Sequence, residues 1–201
     1  MNSKNVSVDG IILNAEQRNR LQIYYELLQK WQRAINLVSA GTLNDFWTRH
    51  VADSLQLLPH LQGKLLLDMG SGGGFPGMVL AIVSDFNVTC LDSDNRKIQF
   101  LSEVARLTGT KLNLVNQRVE NFSHDQTIDT VCARGFAELK MLLQYTLQHS
   151  AINYGVFLKG KNVEKEIEEA QKFFDFQYDM YPSKVSENSW IVVVSSVAEK
   201  N

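Results

Sequence analysis

The stretch LLLDMGSGGGFPG, residues 65–77, decides the fold. An apolar run with the length of a buried strand ends at Asp68, and five glycines fall within the next nine residues. Glycines let a ligand rest against backbone, and they accept the positive φ angles that tight turns require. Pro76 suits the first turn of a helix, where its missing N–H costs little. The stretch therefore predicts a buried strand, a ligand-binding loop and the start of a helix.

Outward from this loop, strand-like and helical patterns alternate along the chain. The strand-like runs are residues 64–69, 87–92, 111–116, 128–133, 155–159, 176–181 and 190–196. The helical patterns among them are residues 76–84, 94–107, 137–148 and 163–174. This alternation predicts an α/β fold with a doubly wound, mostly parallel sheet, and the short link between the last two strands makes that pair antiparallel. Seven strands ending in an antiparallel pair are the arrangement of the class I, Rossmann-like S-adenosylmethionine-dependent methyltransferases.

Helical patterns fill most of the chain before the first of these strands. Asn14 and Gln17 form a capping pair, and apolar residues follow them at spacings of three and four. A second helix is predicted at residues 42–59 because a capping signal opens it and a proline ends it. We therefore divide the chain into an N-terminal helical extension, residues 1–62, and a methyltransferase domain, residues 63–201, which is read as one folded unit.

Composition excludes several classes of protein. The 201 residues are 44% hydrophobic, and 20 basic against 22 acidic side chains give a formal net charge of -2. A protein that coats nucleic acid without specificity is usually strongly basic, so any nucleic-acid contact is expected to be local. Cys90 and Cys132 lie in separate apolar runs, which predicts buried thiols in a reducing compartment and no metal site. Without a leader or an apolar run of about 18 residues, the chain is expected to be soluble and cytoplasmic, with no membrane contact. A monomer is expected as well, although the sequence does not give the oligomeric state.

Asp68 bears on the identity of the ligand. Gly72, Gly74 and Gly77 satisfy the G-x-G-x-x-G pattern of dinucleotide-binding loops, but that match is weak in a loop with so many glycines. A carboxylate at the end of the strand, facing the ligand, would repel a pyrophosphate and suits a cationic ligand. The pattern Asp68-x-Gly70-x-Gly72-x-Gly74 resembles the signature of S-adenosylmethionine enzymes. We therefore favour this cofactor over a nicotinamide nucleotide.

Two further acids follow the next two predicted strands. Asp92 ends the second strand, where a carboxylate can accept hydrogen bonds from the ribose hydroxyls of either cofactor. Glu120 lies in the turn after the third strand, where backbone and acid can read an adenine edge. A nicotinamide-dependent oxidoreductase is the rival class, but it leaves Asp68, Glu120 and the N-terminal helices without a role.

Arg134 ends the fourth predicted strand and is expected to point into the cleft. Its guanidinium can hold a phosphate, a carboxylate or a base edge, or it can neutralise one of the acids. The chain has no Asn-Pro-Pro-Tyr or Asp-Pro-Pro-Tyr segment after this strand, which argues against methylation of an exocyclic amine. It also has no Pro-Cys dipeptide, so covalent attack on a pyrimidine ring is not expected.

The chain resembles a known family, the bacterial small-subunit rRNA guanine-N(7)-methyltransferases G, once called glucose-inhibited division protein B. The resemblance runs over about residues 31–161 and rests on segments in a fixed order. They are KWQRAINLVS, RHVADSL, the glycine loop, CLDSDNRKIQFL, QRVENF, ARGFAEL and LKG. Two positions depart from the family pattern: Val38 stands where Thr is usual, and Gly135 stands where Ala commonly follows the arginine.

The resemblance implies a reaction and its site residues. The family transfers a methyl group from S-adenosylmethionine to N(7) of a single guanine, position 527, in the decoding-centre hairpin of 16S rRNA. Its cofactor contacts fall on Gly70, Phe75, Val119, Glu120 and Arg134, and Arg134 is also the candidate catalytic residue. That ring nitrogen has a free lone pair and no proton, so catalysis is mostly positioning and needs no general base.

Charge asymmetry indicates where RNA would bind. Residues 14–64 hold six basic and four acidic side chains, whereas the chain from residue 162 onward holds four basic and eight acidic ones. The candidates for RNA binding are Arg18, Arg20, Lys30, Arg33, Arg49, His50 and Lys159. His50 and Asp53 share a helix face, so they either contact RNA or hold the N-terminal helices together.

The expected partner is 16S rRNA, within a 30S subunit or an assembly intermediate. A methyltransferase of another RNA or of a small molecule, with the helical extension as a lid, is the second alternative.

Overall fold

A seven-stranded sheet forms the middle of the protein in the computed structural model, which describes residues 7–8, 10–124 and 127–200. The strands are β1 Ser7–Val8, β2 Ile11–Ile12, β3 Leu65–Met69, β4 Asn87–Asp92, β5 Asn113–Asn116, β6 Thr130–Arg134, β7 Gly155–Lys159, β8 Phe174–Pro182 and β9 Trp190–Glu199. The helices are α1 Ala15–Trp31, α2 Ala52–Leu55, α3 Gly77–Val83, α4 Asn95–Thr108, α5 Leu139–His149 and α6 Val163–Ala170. Shorter turns are the 3-10 segments Ala40–Asp45, Leu58–His60 and Val119–Asn121 and the π segment Phe46–Val51.

The strand order in the sheet is β5-β4-β3-β6-β7-β9-β8. The first five strands in this order pair in parallel, and β9 is antiparallel to both β7 and β8. The chain runs outward from β3 through β4 to β5 and then returns to β6 on the other side of β3. This reversal makes the carboxyl ends of β3 and β6 the place where a ligand is expected in an open α/β sheet. The predicted doubly wound, seven-stranded fold is confirmed.

Each face of the sheet carries its own hydrophobic core, because successive residues of a strand point to opposite faces. Leu66 packs in the core that contains Met78 of α3 and Tyr24 of α1. Leu67 packs in the other core with Val131 of β6. The N-terminal extension is therefore built into one of the two cores of the sheet.

Helix ends follow the predicted capping signals. The Oδ1 of Asn14 accepts the N–H of Gln17 at 2.8 Å, and the Oε1 of Gln17 accepts the N–H of Asn14 at 2.9 Å. Asp94 caps α4 by accepting the N–H of Arg96 at 2.9 Å, and Gly109 ends that helix with a φ of 66°. These local signals therefore set the ends of α1 and α4.

The predicted regular helix at residues 42–59 is wrong. The segment consists of 3-10, π and α turns in succession, and every residue from 50 to 57 is buried. Burial on all sides removes the period that an amphipathic helix needs. The extension also begins with the antiparallel pair β1 and β2, whose strands are too short to leave a period in the sequence.

Candidate active site

The glycine loop after β3 is held by hydrogen bonds to the neighbouring strand β4. The N–H groups of Gly70 and Ser71 donate to the carbonyl of Leu91 at 2.8 and 3.0 Å. The N–H of Gly72 donates to Oδ2 of Asp92 at 2.9 Å. Gly70 and Gly72 have φ angles of 68° and 56°, which side chains with a Cβ rarely adopt. The loop is thus fixed before any ligand arrives.

Asp68 lies beneath this loop and is fully buried. Its Oδ2 accepts the N–H of Gly77 at 3.0 Å, at the start of α3. Its Oδ1 has no hydrogen-bond partner among the described residues, and burial raises the pKa of the carboxyl to about 6. The expectation that Asp68 faces the ligand directly is not met, because its carboxylate organises the loop from below. Its place as a cofactor contact stays a prediction.

A cavity of about 260 Å³, which we call the loop cavity, opens above the glycine loop. Asp92 is held there by the N–H groups of Gly72 and Asp94, at 2.9 and 2.8 Å. Glu120 also lines the cavity, and its Oε1 accepts a hydrogen bond from the hydroxyl of Tyr145 at 2.8 Å. Backbone hydrogen bonding and this hydroxyl hold the pKa of Glu120 below its usual value. The lining includes Gly70, Asp92, Lys97, Val119, Glu120 and Phe136, four of which were predicted to bind cofactor.

Gly74 and Phe75 belong to the packing beneath the loop. A Cβ at Gly74 would lie 2.5 Å from the hydroxyl oxygen of Tyr24, and the φ of Gly74 is 93°. The ring of Phe75 stacks between those of Tyr24 and His50, with centroids 5.4 and 4.7 Å away. Both residues were predicted to bind cofactor, but neither lines the loop cavity. The missing side chain of Gly74 makes room for a tyrosine.

Tyr24 is a residue that the sequence did not single out. It is fully buried, and its hydroxyl donates to the carbonyl of Gly73 in the loop. In the sequence Tyr24 belongs to the apolar positions of α1, which predict a core residue. The available signal was the hydroxyl itself, since a buried tyrosine usually has a hydrogen-bond partner.

A second cavity of about 410 Å³, which we call the arginine cavity, lies beside the first. Gly135 lines both cavities, so they meet at the carboxyl end of β6. The other lining residues include Thr42, Arg49, His50, Asp53, Arg134 and Lys159. Most of these come from the N-terminal extension, which therefore forms one wall of the cavity.

Two residues of the RHVADSL segment hold the guanidinium of Arg134 in place. Its Nη2 lies 2.9 Å from Nδ1 of His50, and its Nη1 lies 3.6 Å from Oδ2 of Asp53. Its guanidinium carbon lies 4.8 Å from the centroid of the Phe75 ring, within reach of a cation–π interaction. His50 and Asp53, which were expected to contact RNA or to hold the helices, therefore position this arginine. Arg134 lines the arginine cavity, and its predicted cofactor contact stays a prediction.

The imidazole of His50 is neutral and accepts a hydrogen bond from Arg134. A guanidinium only donates hydrogen bonds, so Nδ1 of His50 accepts, and Nε2 carries the proton toward Thr42 Oγ1 at 3.1 Å. Burial and the charges of Arg134 and Arg49 lower the pKa of His50 to about 3. The imidazole is thus neutral at physiological pH. As an RNA contact His50 remains a prediction, and only 4% of its surface is exposed.

Lys159 is engaged within the protein. Its Nζ lies 2.5 Å from Oε2 of Glu166 and donates to the carbonyl of Ala137 at 2.8 Å. Only 8% of its side-chain surface is exposed. Although it lines the arginine cavity, its charge is already paired, which weakens the prediction that it binds RNA phosphate.

The arginines of the extension fall into two groups. Arg18 donates to the carbonyl of Leu13, and its neighbour Gln17 donates to the carbonyl of Val83 at 2.9 Å. Val83 ends α3, which runs away from the glycine loop, so Arg18 lies at the edge of the sheet remote from both cavities. Arg20, on the same turn, pairs with Glu16. The structure therefore argues against RNA binding by these two arginines.

Arg33 and Arg49 lie at the end of the sheet where the two cavities open. Both are exposed, and Arg49 lines the arginine cavity. Arg33 lines a third cleft with Arg96 and Lys97, and Lys97 also lines the loop cavity. Lys30, near the same end of α1, is exposed as well. Arg49 thus lies at the arginine cavity, and Arg33 lies in a cleft that shares Lys97 with the loop cavity.

The described residues provide neither a cluster of metal ligands nor a helix that could span a membrane. Over residues 7–8, 10–124 and 127–200, three or more His, Cys, Asp or Glu side chains nowhere gather as a metal site would require. None of the helices in the described part of the chain has the length and apolar character to cross a membrane.

Comparison with known sequences identifies the family. The family model described as rRNA small subunit methyltransferase G matches residues 17–189. The chain belongs to this family. The ribosomal RNA small subunit methyltransferase G of Orientia tsutsugamushi (strain Ikeda) is 41% identical over 184 residues, which cover 90% of this chain and 92% of that protein. The protein of the same name from Rickettsia prowazekii (strain Madrid E) is 34% identical over 93% of this chain and 98% of its own length. The predicted family is confirmed.

Solved structures confirm the fold. Magnesium protoporphyrin IX methyltransferase from Synechocystis PCC 6803 with bound SAM has a TM-score of 0.58 at 16% identity, over 92% of this chain and 98% of that chain. An N-methyltransferase from Bradyrhizobium japonicum WM9 in complex with S-adenosyl-L-homocysteine has a TM-score of 0.57 at 14% identity, over 86% and 97% of the two chains. The prediction of an rRNA small-subunit methyltransferase is confirmed by the family and its relatives, and these two structures confirm the fold of such an enzyme.

Proposed function

We propose that this protein methylates N(7) of a single guanine in 16S rRNA, position 527 by family resemblance. The observation that carries the proposal is the meeting of two cavities at Gly135, one over the glycine loop and one around Arg134. A methyl transfer needs donor and acceptor in contact, each in its own site, and this geometry supplies two adjoining sites. The imidazole of His50 is occupied by Arg134, which suits a ring nitrogen that has no proton to lose.

The loop cavity has the hydrogen-bond acceptors that S-adenosylmethionine requires. Asp92 and Glu120 both line the cavity, where their carboxylates can accept hydrogen bonds from ribose and adenine. Gly70 offers the backbone surface beside them. When bound, S-adenosylmethionine supplies an electrophilic methyl group on a sulfonium, and its positive charge passes to the guanine ring with no proton transferred. The fully buried carboxylate of Asp68, with an unpaired Oδ1 beneath the loop, provides a negative field near that cation.

The arginine cavity is the proposed site of the guanine. The guanidinium of Arg134 is fixed by His50 and Asp53, so it can hold the base without rearrangement. Positioning of this kind supplies much of the rate for a reaction that needs no general base. Arg134 is therefore the proposed catalytic residue.

Substrate recognition is proposed to rest on a few contacts made by residues 1–62. A net charge of -2 cannot supply broad counterion release, since each neutralised phosphate needs its own cation. Arg33 and Arg49 flank the two cavities and are the proposed phosphate contacts. Few contacts suffice only when the RNA already has the right shape, so we propose a 30S subunit or an assembly intermediate as the substrate. We also propose that the protein acts as a monomer.

Radiolabelled methyl transfer tests this function. Small subunits from cells that lack the enzyme should incorporate label, and the RNA should then be cut at one guanine by borohydride and aniline, which cleave at 7-methylguanosine. A short naked hairpin should react poorly. Label on a small molecule alone would contradict the function, and equal rates on hairpin and subunit would contradict recognition of a preformed shape.

A further inference from the structure

We infer that Asp53 selects guanine over other bases by accepting hydrogen bonds from its Watson–Crick edge inside the arginine cavity. This inference rests on the proposed function. Asp53 is 7% exposed, and its side chain lines the cavity that adjoins the loop cavity. A carboxylate so placed is costly unless something donates to it.

The hydrogen bonds of Asp53 within the protein leave one oxygen turned to the cavity. Its Oδ1 accepts from Nε2 of Gln56 at 3.1 Å, which fixes the orientation of the carboxylate. Gln56 is itself fully buried and held by Ser183 Oγ at 3.1 Å and by the N–H of Lys184 at 3.1 Å. Oδ2 lies 3.6 Å from Nη1 of Arg134, too far for a hydrogen bond. The pair thus offers an oriented acceptor beside an oriented donor.

This acceptor and donor match guanine. The Watson–Crick edge of guanine presents O6 as an acceptor next to two donors, N1–H and the N2 amino group. Arg134 Nη1 can donate to O6 while the carboxylate of Asp53 accepts from both N1–H and the N2 amino group, so inosine, which keeps N1–H, loses one of these two hydrogen bonds. Adenine has an unprotonated N1, so its lone pair would face the carboxylate, and a buried acceptor would be left unpaired.

The same placement explains which atom is methylated. O6 and N7 are neighbours on guanine, and Gly135 next to Arg134 lines both cavities. A guanine held through O6 by Arg134 therefore turns N7 toward the loop cavity. As the ring becomes cationic, its N1–H becomes a stronger donor, so the bond to Asp53 strengthens in the transition state and accelerates the reaction.

Asp53→Asn tests the inference with small subunits reconstituted to carry guanosine or inosine at the target, since inosine lacks only the N2 amino group. The wild type should prefer guanosine by about 10–100-fold in kcat/KM, the range for a hydrogen bond to a charged group. Asp53→Asn should be slower on guanosine by a similar factor and should lose most of that preference, with its affinity for S-adenosylhomocysteine unchanged. Asp45→Asn, an exposed acid on the preceding turn, should behave as the wild type.

The outcomes separate the inference from the proposed function. A guanosine preference in Asp53→Asn equal to that of the wild type overturns the inference. Failure of the wild type to label either subunit overturns the proposed function instead. If Asp53→Asn unfolds, Asp53→Ser takes its place, because the short hydroxyl side chain removes the carboxylate from the cavity, and an unchanged guanosine preference in the folded Asp53→Ser protein overturns the inference. Equal rates of the wild-type protein on guanosine and inosine overturn it as well.

Discussion

Arg134 donates a hydrogen bond from Nη2 to Nδ1 of His50 over 2.9 Å, joining residues that are 84 positions apart. The contact links the end of β6 to the RHVADSL segment of the extension. It also fixes the tautomer of the imidazole, since Nδ1 must accept. The RHVADSL segment thereby orients the guanidinium of Arg134 within the arginine cavity.

The first prediction concerns the shape of the Arg134 side chain. Arg134→Lys keeps the charge but loses the planar fork that spans His50 and Asp53. We expect methyl transfer to subunits to fall by about 100-fold, the loss typical of misplacement by about 1 Å. Arg106→Lys, the same change at an exposed position remote from both cavities, is the control. Turnover at the wild-type rate in Arg134→Lys would show that charge alone suffices.

The second prediction concerns the pH dependence of stability. The pKa of His50 is lowered to about 3 in the folded protein and is about 6.5 in the unfolded chain. Between these values the unfolded state binds a proton that the folded state does not, so stability is lost as the pH falls below about 6.5. His50→Asn removes this loss while its Oδ1 can still accept from Arg134.

Urea unfolding at pH 7 and pH 5 measures the effect. The free energy of unfolding of the wild type should fall more steeply with acid than that of His50→Asn, with a difference in slope approaching about 1.4 kcal/mol per pH unit. Parallel pH profiles would mean that folding does not lower the pKa of His50.

The third prediction separates two glycines of the same loop. At Gly74 a Cβ would meet the hydroxyl oxygen of Tyr24 at 2.5 Å, so Gly74→Ala should lower the melting temperature markedly. At Gly72 the nearest atom to a Cβ is the carbonyl oxygen of Gly70 at 3.8 Å, so Gly72→Ala meets only the strain of its positive φ. We expect that variant to fold and to bind S-adenosylhomocysteine more weakly. Calorimetry and thermal unfolding of both proteins give the comparison, and the reverse ranking of melting temperatures would contradict it.

The fourth prediction concerns the RNA surface. Arg33→Glu combined with Arg49→Glu should weaken methyl transfer to subunits by at least about tenfold, because two phosphate contacts are lost and two repulsions are added. Arg18→Glu should leave transfer within about twofold, since Arg18 lies at the opposite edge of the sheet. All three proteins should bind S-adenosylhomocysteine equally. An equal effect of Arg18→Glu would place RNA on the remote edge as well.

Local and periodic signals predicted the elements of the fold. The alternation of runs around residues 65–77 gave all seven strands of the sheet, and β4 and β7 have the predicted bounds. The pair Asn14 and Gln17 and the residue Gly109 marked helix ends correctly, because capping depends on a few adjacent residues. The acids after the strands were also placed together, since parallel strands end at one edge.

Contacts between distant segments were beyond the reach of the sequence. Nothing local shows that the Cβ of residue 74 would meet Tyr24, or that Lys159 pairs with Glu166. The segment at residues 42–59 departs from a regular helix, and its residues 50–57 are buried on all sides, a property that only the assembled core imposes. A count of basic residues could not show which of them lie near the cavities. The direction of α1 places Arg18 at the end of the sheet that is remote from both cavities.

The hydrogen bond of the Tyr24 hydroxyl links α1 to the glycine loop, and this link affects how the protein responds to its cofactor. The hydroxyl joins α1 to the carbonyl of Gly73, so a ligand that further restrains the glycine loop also restrains α1. Amide hydrogen exchange in the middle of α1 should therefore slow when the loop cavity is filled. The smallest piece of chain able to bind the cofactor is consequently close to the full length, and a fragment that begins at residue 63 should bind none.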